Sequence, residues 1–199
     1  MAGGRQLQFD KQQVLDEAML VFWEKGFVGT SLSDLTSRMG INKPSLYATF
    51  GNKEDLFVAA TEHYLEHHAT PHIALLHTQN LSFKTRLQNY LSSVAMMLCD
   101  ESKPGGCYVA VALNEMAGES LPKKACKTII EASQFAENYL TEFVIAEKAK
   151  EQLKTELKSE ELSLMLFTFM HGIAAIARNG KSLQQLQSAI DIFVKTLKL

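Results

Sequence analysis

Apolar residues recur at spacings of three and four along nearly the whole chain, and no segment sustains the alternation of a half-buried strand. The pattern predicts an all-α protein. Val14, Ala18, Met19 and Phe22 share one face of a first helix that Asp10 can cap and that ends near Lys25, with Gly26 free to take a left-handed stop. Ser31 followed by Asp34 has the spacing of a capping box, with Asp in place of the usual Glu, and opens a short second helix over Leu32 to Met39. Gly40 suits the turn that follows. Asn42 caps a third helix through Phe50, with Pro44 tolerated in its first turn. The run Asn52-Lys53-Glu54-Asp55 opens a fourth helix, reaching about His68.

Beyond Pro71 the spacing predicts helices over roughly Ser82 to Cys99, Gly106 to Met116, Lys123 to Ala149, Ser159 to Asn179 and Leu183 to Leu197. The last is amphipathic, with Leu183, Leu186, Ile190, Phe193 and Leu197 on one stripe. The expected organisation is a three-helix helix-turn-helix domain, residues 1–53, and a C-terminal helical bundle, residues 54–199, joined through the fourth helix.

Composition and charge narrow the function. Net charge is −2: residues 1–53 hold six basic side chains against five acidic ones, or +1, leaving −3 for the rest. Such an asymmetry permits a local nucleic-acid patch on the N-terminal part. The three cysteines, Cys99, Cys107 and Cys126, form no CxxC pair, so reduced thiols are expected. The polar start MAGGRQLQFDKQQ does not resemble a secretory signal, and a cytoplasmic location is expected. The longest apolar run, Leu162 to Ala177, is shorter than the roughly 20 residues that span a bilayer and contains His171, so no membrane partner is expected. No GxSxG, Walker or HExxH motif is present, and no ExxH pair, so neither an enzyme nor a bound cofactor is expected.

The segment Thr30 to Phe57 is the most informative. Two short helices joined at Gly40 form a helix-turn-helix, in which Leu35, Ile41, Leu46 and Phe50 can close a small core. The second helix can then enter a major groove about 12 Å wide. Its first turn and polar face carry Lys43, Pro44, Ser45, Tyr47 and Thr49. Thr30 and Ser31 start one helix and Lys53 another, where free N–H groups can meet phosphate oxygens. A plain helical hairpin with these residues solvated fits the same pattern.

The run from Phe22 to Phe57, with its pieces FxxxGFxGTS, GINKPSLYATF and GNKEDLF, closely resembles the DNA-binding domain of the TetR family of bacterial repressors. The resemblance implies a homodimer on a pseudo-palindromic double-stranded DNA operator, with contacts at Thr30, Lys43, Ser45, Tyr47 and Lys53. Ala48 and Thr49 depart from the His and aromatic residues common there, which leaves base preference open.

Over the remainder only architecture and length match. The resemblance implies a ligand pocket among the middle helices, for which Met96, Met97, Cys107, Tyr108, Phe135, Tyr139, Phe167 and Met170 are the expected lining; each also fits an ordinary core. It further implies a four-helix seam with the partner, built from Leu162, Leu166, Phe169, Gly172, Ile173, Ile176, Leu186, Ile190 and Phe193, although an intramolecular core fits the same residues. Cys107 follows two glycines at an expected helix start, where the dipole and Lys103 favour thiolate. Some similar regulators sense electrophiles or oxidants through such a cysteine, while others carry it with no redox role; Cys99 and Cys126 are candidate resolving thiols.

Five histidines crowd between His63 and His77, and His63 with His67 could chelate zinc or nickel together with Glu66 or His72. A solvated face at the end of the fourth helix is the simpler explanation of the same histidines. The expected function is a ligand-responsive repressor released by an unidentified small molecule or electrophile. The alternatives are a non-DNA-binding helical adaptor and a metal-responsive regulator.

Overall fold

Asp10 sets the start of the fold: its carboxylate accepts the N–H groups of Gln12 and Gln13 and caps α1, Lys11–Gly29. The computed structural model describes residues 9–116, 118–150, 153 and 155–197, so residues 1–8 of the expected DNA-binding domain lie outside the described residues. Gly26 interrupts α1 at φ 72°, the left-handed position expected of it, and one further turn follows to Gly29. The Thr30 hydroxyl donates to the Gly26 carbonyl at 2.6 Å and closes this kink.

The Ser31–Asp34 capping box opens α2, Leu32–Met39, which stops at left-handed Gly40. Asn42 accepts the Ser45 N–H and opens α3, Lys43–Phe50. Asn52 and Asp55 form a second capping box at the start of α4, Lys53–Tyr64. Each short helix therefore begins where a side-chain oxygen can satisfy an orphan backbone donor.

Helical structure continues past His68, where the fourth helix was expected to end. The chain continues through a π turn, Leu65–Ala69, a short α5, Thr70–Ile73, and a 3-10 turn, Ala74–His77. Pro71 has no N–H to donate and its ring crowds the preceding turn, so the helix widens just ahead of it instead of ending.

The bundle comprises α6, Phe83–Leu98, α7, Tyr108–Met116, α8, Lys123–Ala149, α9, Ser159–Arg178, and α10, Leu183–Thr196. Among the described residues no strand occurs. By length and composition α9 could cross a membrane, with 33% of its apolar window buried in the subunit. In the fold it packs against α8, α6 and α10.

Among the described residues, two cores form. The first joins α1–α4 to α7 and the start of α8, and its largest buried side chains include Phe22, Trp23, Phe57, Tyr64 and Tyr108. Burying each such side chain contributes roughly 1.5–3 kcal/mol. Leu56, Phe57, Ala60 and Tyr64 of α4 lie in this core, so packing runs uninterrupted across the boundary expected at residue 53.

The second core lies among α6, the end of α8, α9 and α10. Inside it Arg86 and Glu147 form a bidentate ion pair, and Arg86 also donates to the Leu76 carbonyl at 2.8 Å.

This second core corrects the seam. Leu162, Leu166, Ile173, Leu186 and Ile190 were expected to face a partner, but each is at most 2% exposed and fills the subunit's own interior. Phe169 and Phe193 are half-buried and stack on each other at 3.8 Å. Gly172 and Ile176 do face outward, beside Leu164 and Ala175 of α9 and Leu183 and Ile192 of α10. Both faces of α9 are apolar, and only packing distinguishes them.

Candidate functional site

Eight residues make α3 about 12 Å long. Leu46 and Phe50 anchor it to the first core, leaving Lys43, Pro44, Tyr47 and Ala48 exposed and Ser45 half-buried. Tyr47 is 48% exposed, a large aromatic ring outside the core.

Electrostatics single out one residue on this surface. Lys25 is paired with Asp34 and Arg38 with Glu17, both at 2.5 Å. The ammonium groups of Lys11 and Lys53 lie over the rings of Phe50 and Phe27. Among the described residues of α1–α4, Lys43 is the Lys or Arg side chain held by neither a carboxylate nor a ring.

Four expected contacts sit differently. Thr30 is 2% exposed, its hydroxyl bonded to Gly26 and its N–H to the Phe27 carbonyl, so it shapes the kink and faces no phosphate. The Thr49 hydroxyl is buried with no partner, pointing away from the polar face assigned to it. Lys53 is partly buried against Phe27 at 4.3 Å, and burial lowers its pKa. The Ser31 hydroxyl and N–H are both engaged by Asp34 in the capping box.

A second feature starts at the end of α4 and draws on elements as far along the chain as α9. A cavity of about 780 Å³, counting its open mouth, sits between the end of α4, the π turn, α6, α7, α8 and α9. Of the expected lining, Met97, Cys107, Phe135, Tyr139 and Met170 face it. Tyr108 lies behind the wall, stacked on Phe57 with its hydroxyl 3.0 Å from Thr61 Oγ1. Met96 is 54% exposed on another face of α6, and Phe167 packs on the His171 ring without lining the cavity.

Sequence reasoning missed Tyr64, Tyr90, His72 and His171, which all line the cavity. Tyr90 and Val94 precede Met97 at helical spacing on α6, the one signal that would have found them.

The polar groups of the cavity have weak or internal partners. The Tyr90 hydroxyl donates to Met170 Sδ at 3.2 Å, and the Tyr64 hydroxyl to Cys107 Sγ at 3.6 Å. His72 Nδ1 is 2.8 Å from Ser93 Oγ, and Tyr139 is bonded to His77. Burial raises both Tyr64 and Tyr90, which stay protonated, and lowers His72 and His171, which are neutral at pH 7. The sulfurs of Cys99 and Cys126 bond separate backbone carbonyls, those of Lys181 and Leu121, and burial raises the Cys99 thiol.

The histidines disperse. His63 and His68 approach Asp16 of α1, His72 turns to α6 and His77 to α8. Among the described residues no three His, Cys, Asp or Glu side chains gather as a metal site. His72 turns its Nδ1 to Ser93 of α6, away from the face that His63 and His67 share.

The residues from 14 to 60 match the family model described as bacterial regulatory proteins, tetR family. Across 196 residues the chain is 30% identical to the HTH-type transcriptional repressor ComR of Escherichia coli strain K12, covering 98% of this chain and 91% of that one. It is 28% identical to the E. coli HTH-type transcriptional repressor BdcR over 183 residues, 92% of this chain and 86% of the other. The fold superimposes with a TM-score of 0.84 on a cysteine mutant of the TetR family regulator CifR in complex with a 26-bp double-strand operator DNA, at 26% identity and covering 96% and 99% of the two chains.

Proposed function

Since the chain belongs to the TetR family of bacterial regulatory proteins, and so is a DNA-binding transcription regulator, we propose that it is a ligand-responsive repressor whose operator affinity is set by a small molecule in the cavity. Residues 1–53 read the operator, and residues 54–199 sense the ligand and pair the subunits. The observation that carries this reading is the exposed α3 surface, where Lys43 stands uncommitted beside Tyr47. Lys43 contacts phosphate or a guanine edge, Tyr47 and Ser45 contact the backbone, and Pro44 packs at the groove wall.

A pseudo-palindromic site follows from two-fold pairing through the outward apolar faces of α9 and α10, where Leu164, Gly172, Ile176 and Ile192 would otherwise face water. A ligand that favours the subunit geometry with mismatched reading helices then releases the DNA, through its differential affinity for the two states. All of this chemistry belongs to the cytoplasm, where the operator lies.

Selection of duplex fragments by the purified protein, followed by salt-dependent gel shifts, tests the reading. Binding to one selected inverted repeat, weakening as salt rises, is expected. A protein that stays monomeric or ignores every duplex at low salt is instead a helical adaptor.

One observation favours a second mode of release. Cys107 lines the cavity, so an electrophile that enters it meets this sulfur. Unchanged induction by quinones or aldehydes in Cys107→Ser removes that mode and leaves the reversible one standing.

A further inference from the structure

The cavity walls carry no Lys, Arg, Asp or Glu among the described residues. Their two imidazoles are neutral, so an ionic ligand would leave water without meeting a counter-charge. Most of the lining is apolar, including Ile73, Val94, Leu98 and Phe135. Within it, the buried Tyr90 hydroxyl donates only to the thioether of Met170. Thioether sulfur is a weak acceptor, and a buried donor gains when an oxygen replaces it.

Resting on the reading of this cavity as the inducer site, we propose that its ligand is an uncharged, mostly apolar molecule bearing one acceptor oxygen, a carbonyl, that takes the Tyr90 hydrogen bond from Met170. Tyr64 supplies a second such donor next to Cys107, so an acceptor at either end of the ligand is read. Tyr90 therefore sets specificity: it distinguishes a carbonyl from the matching hydrocarbon, while the absence of wall charge rejects the matching carboxylate.

Calorimetric titration of the full chain with three probes sharing one ring system tests the assignment: 2-acetylnaphthalene, 2-ethylnaphthalene and 2-naphthoate. The ketone should bind most tightly, the hydrocarbon roughly tenfold more weakly, and the anion not measurably at the same concentrations. In Tyr90→Phe the ketone should fall to the affinity of the hydrocarbon, whose own binding stays unchanged and shows that the cavity is intact. Equal binding of ketone and hydrocarbon by the unaltered protein overturns the proposal, as does anion binding equal to the ketone, or a Tyr90→Phe loss shared by both neutral probes. Absence of binding by all three also overturns it. Gel shifts run in parallel separate the two ideas: Tyr90-dependent ketone binding that leaves operator affinity unchanged removes the inducer reading and keeps the ligand class.

Discussion

The Glu115 carboxylate accepts the backbone N–H groups of Phe27 at 2.7 Å and Val28 at 3.1 Å. Those donors are orphaned by the Gly26 kink, so a side chain of α7 completes a turn of α1. The same α7 begins beside Cys107 at the cavity wall, and Tyr108 packs against Phe57 and Tyr64 of α4. A rigid helix thus links the cavity to the joint that leads into α2. Arg178 of α9 reinforces the link by donating to the Glu24 carbonyl at 2.9 Å.

Glu115→Ala leaves two donors without their acceptor. Bonds to a charged group are worth roughly 1.5–3 kcal/mol, so denaturant unfolding should show a loss of that order. Operator affinity should fall as well, because α2 and α3 hang from the loosened turn. A variant with unaltered stability and unaltered gel shift would show that the latch is idle.

Lys43→Ala should weaken operator binding on every sequence and reduce the slope of log affinity against log salt by about 1, the signature of one lost phosphate contact. Thr49→Val should behave oppositely. Its hydroxyl is buried without a partner, so replacing it with a methyl should leave operator affinity unchanged and stability equal or slightly higher. Gel shifts and thermal melts on the two variants distinguish the exposed from the inward face of α3.

Glu147→Ala removes the carboxylate that balances the Arg86 charge in the second core and should cost about 3–5 kcal/mol. Burial alone would push the Glu147 carboxyl up, but bonds and charge from Arg86, with Lys150, bring it net below its ordinary 4.5. A carboxyl lowered in the folded state stabilises fully above its unfolded pKa. That contribution disappears as pH falls from about 4.5 through the lowered value. Urea midpoints measured between pH 7 and pH 3 should therefore converge for Glu147→Ala and the unaltered protein; a constant gap would exclude the linkage.

Ile176→Asp should prevent subunit pairing without unfolding the chain, since Ile176 is 40% exposed. Leu166→Asp, 1% exposed, should unfold it instead. Sedimentation and thermal melts on both test the corrected seam; a folded dimer of Ile176→Asp would place pairing on another face.

Local signals were legible in the chain itself. Caps at Asp10, Ser31, Asn42 and Asn52 and the turns at Gly26 and Gly40 act within one turn, so sequence spacing determined these helices and the exposure of Lys43, Pro44 and Tyr47 on α3. Helical spacing likewise marked α8 to its observed bounds. Tertiary structure decided the remainder. An apolar stripe does not record which neighbour covers it, so Leu166 and Ile176 look alike until α6, α8 and α10 pack on one side of α9. Pro71 reads as a break because the widening that absorbs it depends on the turn before it. Tyr90 joined the cavity, and Thr49 left the DNA-facing surface, because burial is set by elements far away in sequence, and no spacing rule carries that information.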